Sequence, residues 1–249
     1  MEKVKYSILA CPYSNVKQFE NFLFTARMQD YQGKYEVIVV DNASPTDEIK
    51  YICSKFSDIT KYYRIKEEDK KATNVTQGIN LAANISIGEY VVIIPDPNVL
   101  LSFNLLSEID KVPLKEWKII ISGLKTDIKI SQYATLAEEY EKRNENEMAE
   151  INSRLLLEMG WPDDPMKLKL INGRHRFPPA HIGFEVYMVA MHRVHFFKEP
   201  YNENLIEWGT YHENFVTTKC RQYAWERLRS VRLIHQLHRV WKNERATTI

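Results

Sequence analysis

Three short segments limit what this chain can fold into. Lys5–Cys11 (KYSILAC), Tyr35–Asp41 (YEVIVVD) and Gly88–Asp96 (GEYVVIIPD) are apolar almost throughout and rich in strand formers. Each is too short for an independent helix. An unbroken apolar run, without polar alternation, describes a strand covered on both faces, as in a parallel sheet. Helical spacing fills the gaps. Val16, Phe19, Phe22, Leu23 and Ala26 share one face, as do Ile49, Ile52 and Phe56, and then Val75, Ile79 and Ala82. Ser44 or Thr46 is the expected N-cap of the middle helix. Tyr62–Ile65 reads as a weaker strand.

Strands alternating with helices of this length predict βαβ units, an α/β fold and a mostly parallel central sheet flanked by helices. In such sheets ligands lie beyond the carboxyl ends of the strands. Here those ends carry Pro12-Tyr13-Ser14, Asp41-Asn42 and Asp96-Pro97-Asn98, so two of three offer a carboxylate.

The second half is less regular. Residues 115–125 hold another strand, 131–159 read as a charged helix, 160–179 as a long loop, and 180–193 as strand again. The tail, 217–249, predicts a long C-terminal helix. Trp225, Leu228, Val231, Leu237 and Trp241 recur along it, amid arginines at 221, 227, 229, 232 and 239. Two readings of that helix stand open: peripheral contact with an anionic membrane surface, or packing of the apolar stripe on the domain, which is preferred. No repeat or linker divides the 249 residues, and a single domain is expected over 1–249.

Lys and Arg number 34 against 33 Asp and Glu, a balance with no sign of a nucleic-acid partner. Three scattered cysteines do not make a disulfide framework or zinc site. No signal peptide or membrane-spanning stretch is read in the sequence, and a cytoplasmic setting is expected.

The ordered motifs YSILACPYSN, YEVIVVDNASPTD and GEYVVIIPDPN resemble the nucleotide-sugar half of family 2 glycosyltransferases with the glycosyltransferase A fold, over about residues 5–105. The match over 106–216 is looser. FFKEPYNENLIEWGTYHENF is similar to the family stretch around Gly-x-Phe-Asp-Glu, Trp-Gly and a later acidic pair. Two positions depart from the pattern. Asn98 stands where the second metal-binding Asp is usual, and Glu199-Pro200 replaces the usual glycines.

The resemblance implies a single Rossmann-like domain that moves a sugar from a nucleotide diphosphate sugar to an acceptor hydroxyl, with inversion. It implies a cytoplasmic enzyme of the hexosyltransferase type serving polysaccharide biosynthesis, possible at the inner membrane face, with a glycan or lipid-linked acceptor. On this implication Pro12, Tyr13, Asp41, Lys71, Asn74, Gly78 and Asp96 line the donor site. Mg²⁺ or Mn²⁺ is held by Asp96, Asn98 and His212. Glu213 is the general base and Glu203 its reserve. The competing reading is a non-catalytic nucleotide-binding or interaction protein that kept the fold.

Overall fold

The computed structural model describes residues 3–71, 75–112, 118–122, 125–127, 188–205, 214–215, 218–219, 223–228, 231 and 233–236. The expected charged helix and the long loop after it lie outside these residues. Ten strands are described: β1 (Tyr6–Ala10), β2 (Tyr35–Asp41), β3 (Thr60–Arg64), β4 (Tyr90–Ile94), β5 (Val99–Leu101), β6 (Lys118–Ser122), β7 (Lys125–Asp127), β8 (Val189–His192), β9 (Ala224–Leu228) and β10 (Leu233–His235). The described helices are α1 (Val16–Arg27), α2 (Glu48–Lys55), α3 (Thr76–Ile85), α4 (Leu105–Lys111) and α5 (Arg193–Lys198).

The central sheet runs β3-β2-β1-β4-β8-β6-β9, and a second runs β5-β10-β7. β3, β2, β1 and β4 are mutually parallel, and β8 enters antiparallel between β4 and β6. The apolar runs are explained by two cores on opposite faces. Ile8, Ala10, Val37, Val39, Val92 and Ile94 pack beneath α1, α2 and α4. Leu9, Ile38, Val40, Val91 and Ile93 pack against α3, Phe196 and Tyr201. Each such fully buried Val, Leu or Ile side chain contributes about 1.5–3 kcal/mol.

Gly88, in the stretch before β4, meets β1 closely: a Cβ there would lie 2.5 Å from Ser7 Oγ. The Gly88 N–H donates to that oxygen (2.9 Å), and the Ser7 hydroxyl donates to buried Glu36 Oε1 (2.6 Å). Glu36 Oε2 pairs with Lys61 at 2.7 Å. A side chain at Gly88 would separate β4 from β1.

Two local expectations are corrected. The residue capping α2 is Asp47 rather than Ser44 or Thr46. Its carboxylate accepts from Arg64 Nη1 at 2.6 Å instead of capping α2. The tail is not one long helix, because Ala224–Leu228 and Leu233–His235 are strands. β9 extends the main sheet in parallel with β6, and β10 pairs with β5 and β7. Open sheet edges offer rows of backbone partners, and pairing with them overrides a helical spacing of apolar residues. The membrane reading of the tail therefore has no helix to rest on at 224–228 or 233–235.

Candidate functional site

Parallel pairing of β2, β1 and β4 brings three turns to one edge of the sheet: Pro12–Asn15 after β1, Asp41–Ser44 closing β2, and Asp96–Asn98 after β4. Strands lie roughly 4.8 Å apart, so the two carboxylate-bearing tips flank β1 about 10 Å apart.

Asp41 is fully buried. Its Oδ1 accepts from the Ser44 N–H (2.8 Å) and its Oδ2 from the Tyr62 hydroxyl (3.0 Å), with Arg64 Nε 3.9 Å away. Burial first, and the Asp41 charge second, push the Tyr62 phenol well above its ordinary range, so it remains a donor. Arg64 also donates to the Ser44 carbonyl. The Asn42 N–H donates to the Pro12 carbonyl (2.9 Å), and the Ser14 N–H to Ser44 Oγ (3.0 Å), lacing the two tips together. Ser14, Asn15 and Ala43 have φ of 53°, 49° and 60°. Left-handed conformations at non-glycine residues persist only where surrounding contacts dictate them, and they cluster at ligand sites. Asp41 thus sets the shape of this edge.

Pro12 is buried and Tyr13 half-buried. Lys70 Nζ sits 4.6 Å from the centre of the Tyr13 ring. Gly78 serves packing: a Cβ there would fall 2.1 Å from Cys11 Sγ, so its absence seats α3 on β1. Burial, followed by the charge of Asp41, pushes the Cys11 thiol far up, leaving it neutral and unsuited to nucleophilic attack.

After β4, Asp96 Oδ1 accepts from the Asn98 N–H at 3.1 Å, closing a tight turn. The Asn98 carbonyl accepts from the Gln236 N–H at 2.9 Å, so β10 pins this turn. Among the described residues no three His, Cys, Asp or Glu side chains gather to hold a metal. One carboxylate and one amide oxygen suit a hard cation whose remaining ligands are phosphate oxygens and water.

The structure also unites residues from distant parts of the chain. Lys71 Nζ lies 3.3 Å from Glu203 Oε2, and Asn80 Nδ2 donates to Glu203 Oε1 at 3.0 Å. Asn80 also takes the Tyr201 N–H (3.1 Å) and donates to the Tyr201 carbonyl (2.8 Å). Asn214 does the same for Asn202, at 2.8 and 2.9 Å. Lys219 donates to the Glu199 carbonyl, its Nζ 4.8 and 5.2 Å from the Phe196 and Tyr201 ring centres. Burial pulls the Lys219 ammonium down to about 8, against the opposing charge of Glu199.

Asn74, His212 and Glu213 lie outside the described residues. Tyr62, Arg64, Asn80 and Lys219 escaped the sequence reading. Only Asn80 left a signal: it lies four residues after Thr76 and three before Ala83 on the buried side of α3. An asparagine there needs partners.

Residues 7–96 match the family described as Glycosyl transferase family 2. Solved structures with the same fold include residues 1–349 of S. aureus TarS, at TM-score 0.60 and 14% identity, covering 94% of this chain and 60% of that one. The same fragment in complex with UDP-GlcNAc matches at 0.59 and 14%, covering 99% and 62%. The mannosyltransferase PcManGT from Pyrobaculum calidifontis, in complex with GDP-Man and Mn²⁺, matches at 0.58 and 14%, covering 96% and 59%. This chain thus spans about 60% of the length of these solved structures. No curated protein matches the sequence. The resemblance drawn from the motifs holds for the segment that carries them, and the fold is that of these glycosyltransferases.

Proposed function

We propose that this chain, built on a family 2 glycosyltransferase framework, transfers a sugar from a nucleotide diphosphate sugar to an acceptor hydroxyl. The observation that carries this reading is the strand-tip edge, where Asp41 and Asp96 close neighbouring turns on either side of β1. The base lies against Pro12 and Tyr13, in a recess whose shape Asp41 maintains. A carboxylate has about four lone-pair positions, so Asp41 keeps capacity for a base N–H beyond its two internal bonds. The diphosphate runs toward Asp96 and Lys71, with Asn74 on the same segment.

In an inverting displacement the acceptor oxygen bonds to the anomeric carbon while the bond to the diphosphate breaks. The acceptor proton passes to a carboxylate, Glu213 or Glu203, and the nucleoside diphosphate leaves. Asp96 and Asn98 would hold Mg²⁺ or Mn²⁺, with His212 as a third candidate ligand. When bound, such an ion offsets the charge growing on the leaving diphosphate. The acceptor is a glycan or a lipid-linked sugar, consistent with a role in polysaccharide biosynthesis on the cytoplasmic side. Among the described residues no helix is long and apolar enough to cross a membrane.

A second reading, a nucleotide-binding protein without catalysis, draws on Asn98 in place of a carboxylate and on the internal bonds of Asp41. Calorimetry with UDP, GDP, CDP and dTDP, with and without Mn²⁺, followed by donor hydrolysis on whichever binds, separates the two. Binding with turnover supports the transferase, and binding without turnover supports the second reading. Absence of any nucleotide binding would sink both.

A further inference from the structure

The six residues Glu199–Asn204 are held at three backbone positions by three buried polar side chains, one from α3 and two, five positions apart, from the later stretch that holds Asn214 and Lys219. Lys219 takes the Glu199 carbonyl. Asn80 takes both the N–H and the carbonyl of Tyr201, and Asn214 both those of Asn202. Lys219 and Asn214 are fully buried and Asn80 is 8% exposed. Burying amide and ammonium groups is unfavourable unless each is paired, so a network this complete is warranted only where a loop must hold one shape. The group presented by that loop is the Glu203 carboxylate. Asn80 fixes one of its oxygens, and Lys71, from the loop preceding α3, meets the other. Glu203 thereby reaches from the second half of the chain to the segment beside the strand-tip edge.

We propose that Asn80 is a positioning residue that aims Glu203 as the proton acceptor of the transfer. The inference rests on the transferase reading and chooses between its two glutamates. As the acceptor oxygen bonds to the anomeric carbon and the carbon–oxygen bond to the diphosphate breaks, the hydroxyl proton moves to the Glu203 carboxylate. Lys71 stands beside that carboxylate with the opposite charge. Among the described residues, the charged group facing Glu203 from another element is Lys71; α3 contributes the neutral Asn80, and the nearest acid on its own loop is Glu199.

The test replaces Asn80 by Asp. The new carboxylate stands at hydrogen-bond distance from Glu203 Oε1, and two carboxylates so placed cannot both ionise freely. The acidic limb of the kcat/KM profile should rise by about one pH unit or more. The ¹³C carboxyl titration of Glu203 should rise with it. Asn80→Asp gives up two donors, so Asn80→Ser serves if it does not fold. The serine keeps a hydroxyl but is too short to reach Glu203. Its kcat should fall about tenfold or more, as for a misaimed group, with nucleotide affinity unchanged.

A Glu203 titration that moves while the rate profile stays put would overturn the catalytic role and leave the transferase reading standing. A Glu203 titration that does not move in folded Asn80→Asp would overturn the contact itself. Equal losses of kcat and nucleotide affinity in Asn80→Ser would mark Asn80 as structural only. Absence of transfer in the wild-type chain with every donor that binds would remove the reading on which the proposal rests.

Discussion

At the residue scale, the strand tips depend on single contacts that substitutions can isolate. Asp41→Ala removes a charged acceptor from the Ser44 N–H, the Tyr62 hydroxyl and the neighbourhood of Arg64. Unfolding free energy should fall by about 2–3 kcal/mol, as for hydrogen bonds to a charged group, and nucleotide affinity should fall too. Tyr62→Phe removes only one of those bonds. It should cost about 1.5–2 kcal/mol in a urea titration, as for one hydrogen bond to a charged group, and leave affinity close to wild type. Equal affinity losses in both variants would mean that Asp41 acts on the ligand only through tip stability. Gly78 offers a second test. Gly→Ala within a helix usually gains about 1 kcal/mol. Here the new methyl meets Cys11 Sγ at 2.1 Å, so Gly78→Ala should instead destabilise by about 1–3 kcal/mol. In a Cys11→Ala background the sulfur is gone and that penalty should largely vanish. A penalty that persists there would place the clash elsewhere.

At the scale of elements, β10 fastens the turn after β4 to α1. The Gln236 N–H donates to the Asn98 carbonyl, its Nε2 to the Gln18 carbonyl (2.8 Å), and its Oε1 accepts from Asn21 (2.9 Å). Gln236→Ala leaves buried partners unsatisfied and should lower stability by about 1–3 kcal/mol. It also frees the side-chain tether behind Asp96–Asn98. Nucleotide affinity measured with Mn²⁺ should therefore drop more than affinity measured in EDTA. Equal drops in both conditions would detach β10 from the proposed cation site. The tail shows why such elements resist reading from sequence. Leu228, Val231 and Leu233 are buried as their apolar character demands, yet Leu228 closes β9, Leu233 opens β10 and Val231 lies between the two strands. Their spacing carries no record of which sheet edge stands open beside them.

At the scale of the whole molecule, stability should carry an alkaline signature from Lys219. Its folded value, about 8, is depressed by burial below the ordinary 10.5. Between those values the unfolded chain binds more protons, so stability contributed by this group rises with pH. Below pH 8 both states are charged and the burial penalty stands in full. Subtracting the unfolding free energy of Lys219→Met from that of wild type cancels the tyrosines, whose raised values act in the opposite sense at higher pH. The difference should be flat up to about pH 8 and then climb in favour of wild type toward pH 10. A flat line throughout would place the Lys219 ammonium in water. The sequence by itself determined the β1-β2-β4 layer and the turns at its carboxyl edge. Unbroken apolar runs have no other stable use than strands covered on both faces, and a parallel sheet gathers their ends. Tertiary structure alone decided that Asp41 turns its oxygens to Ser44 and Tyr62, that Gly78 admits Cys11, and that Asn80 meets Glu203 from 123 positions away. Hydrogen-bond partners are chosen by distance in the folded state, where burial makes an unpaired polar group costly, and that distance is written nowhere in local sequence.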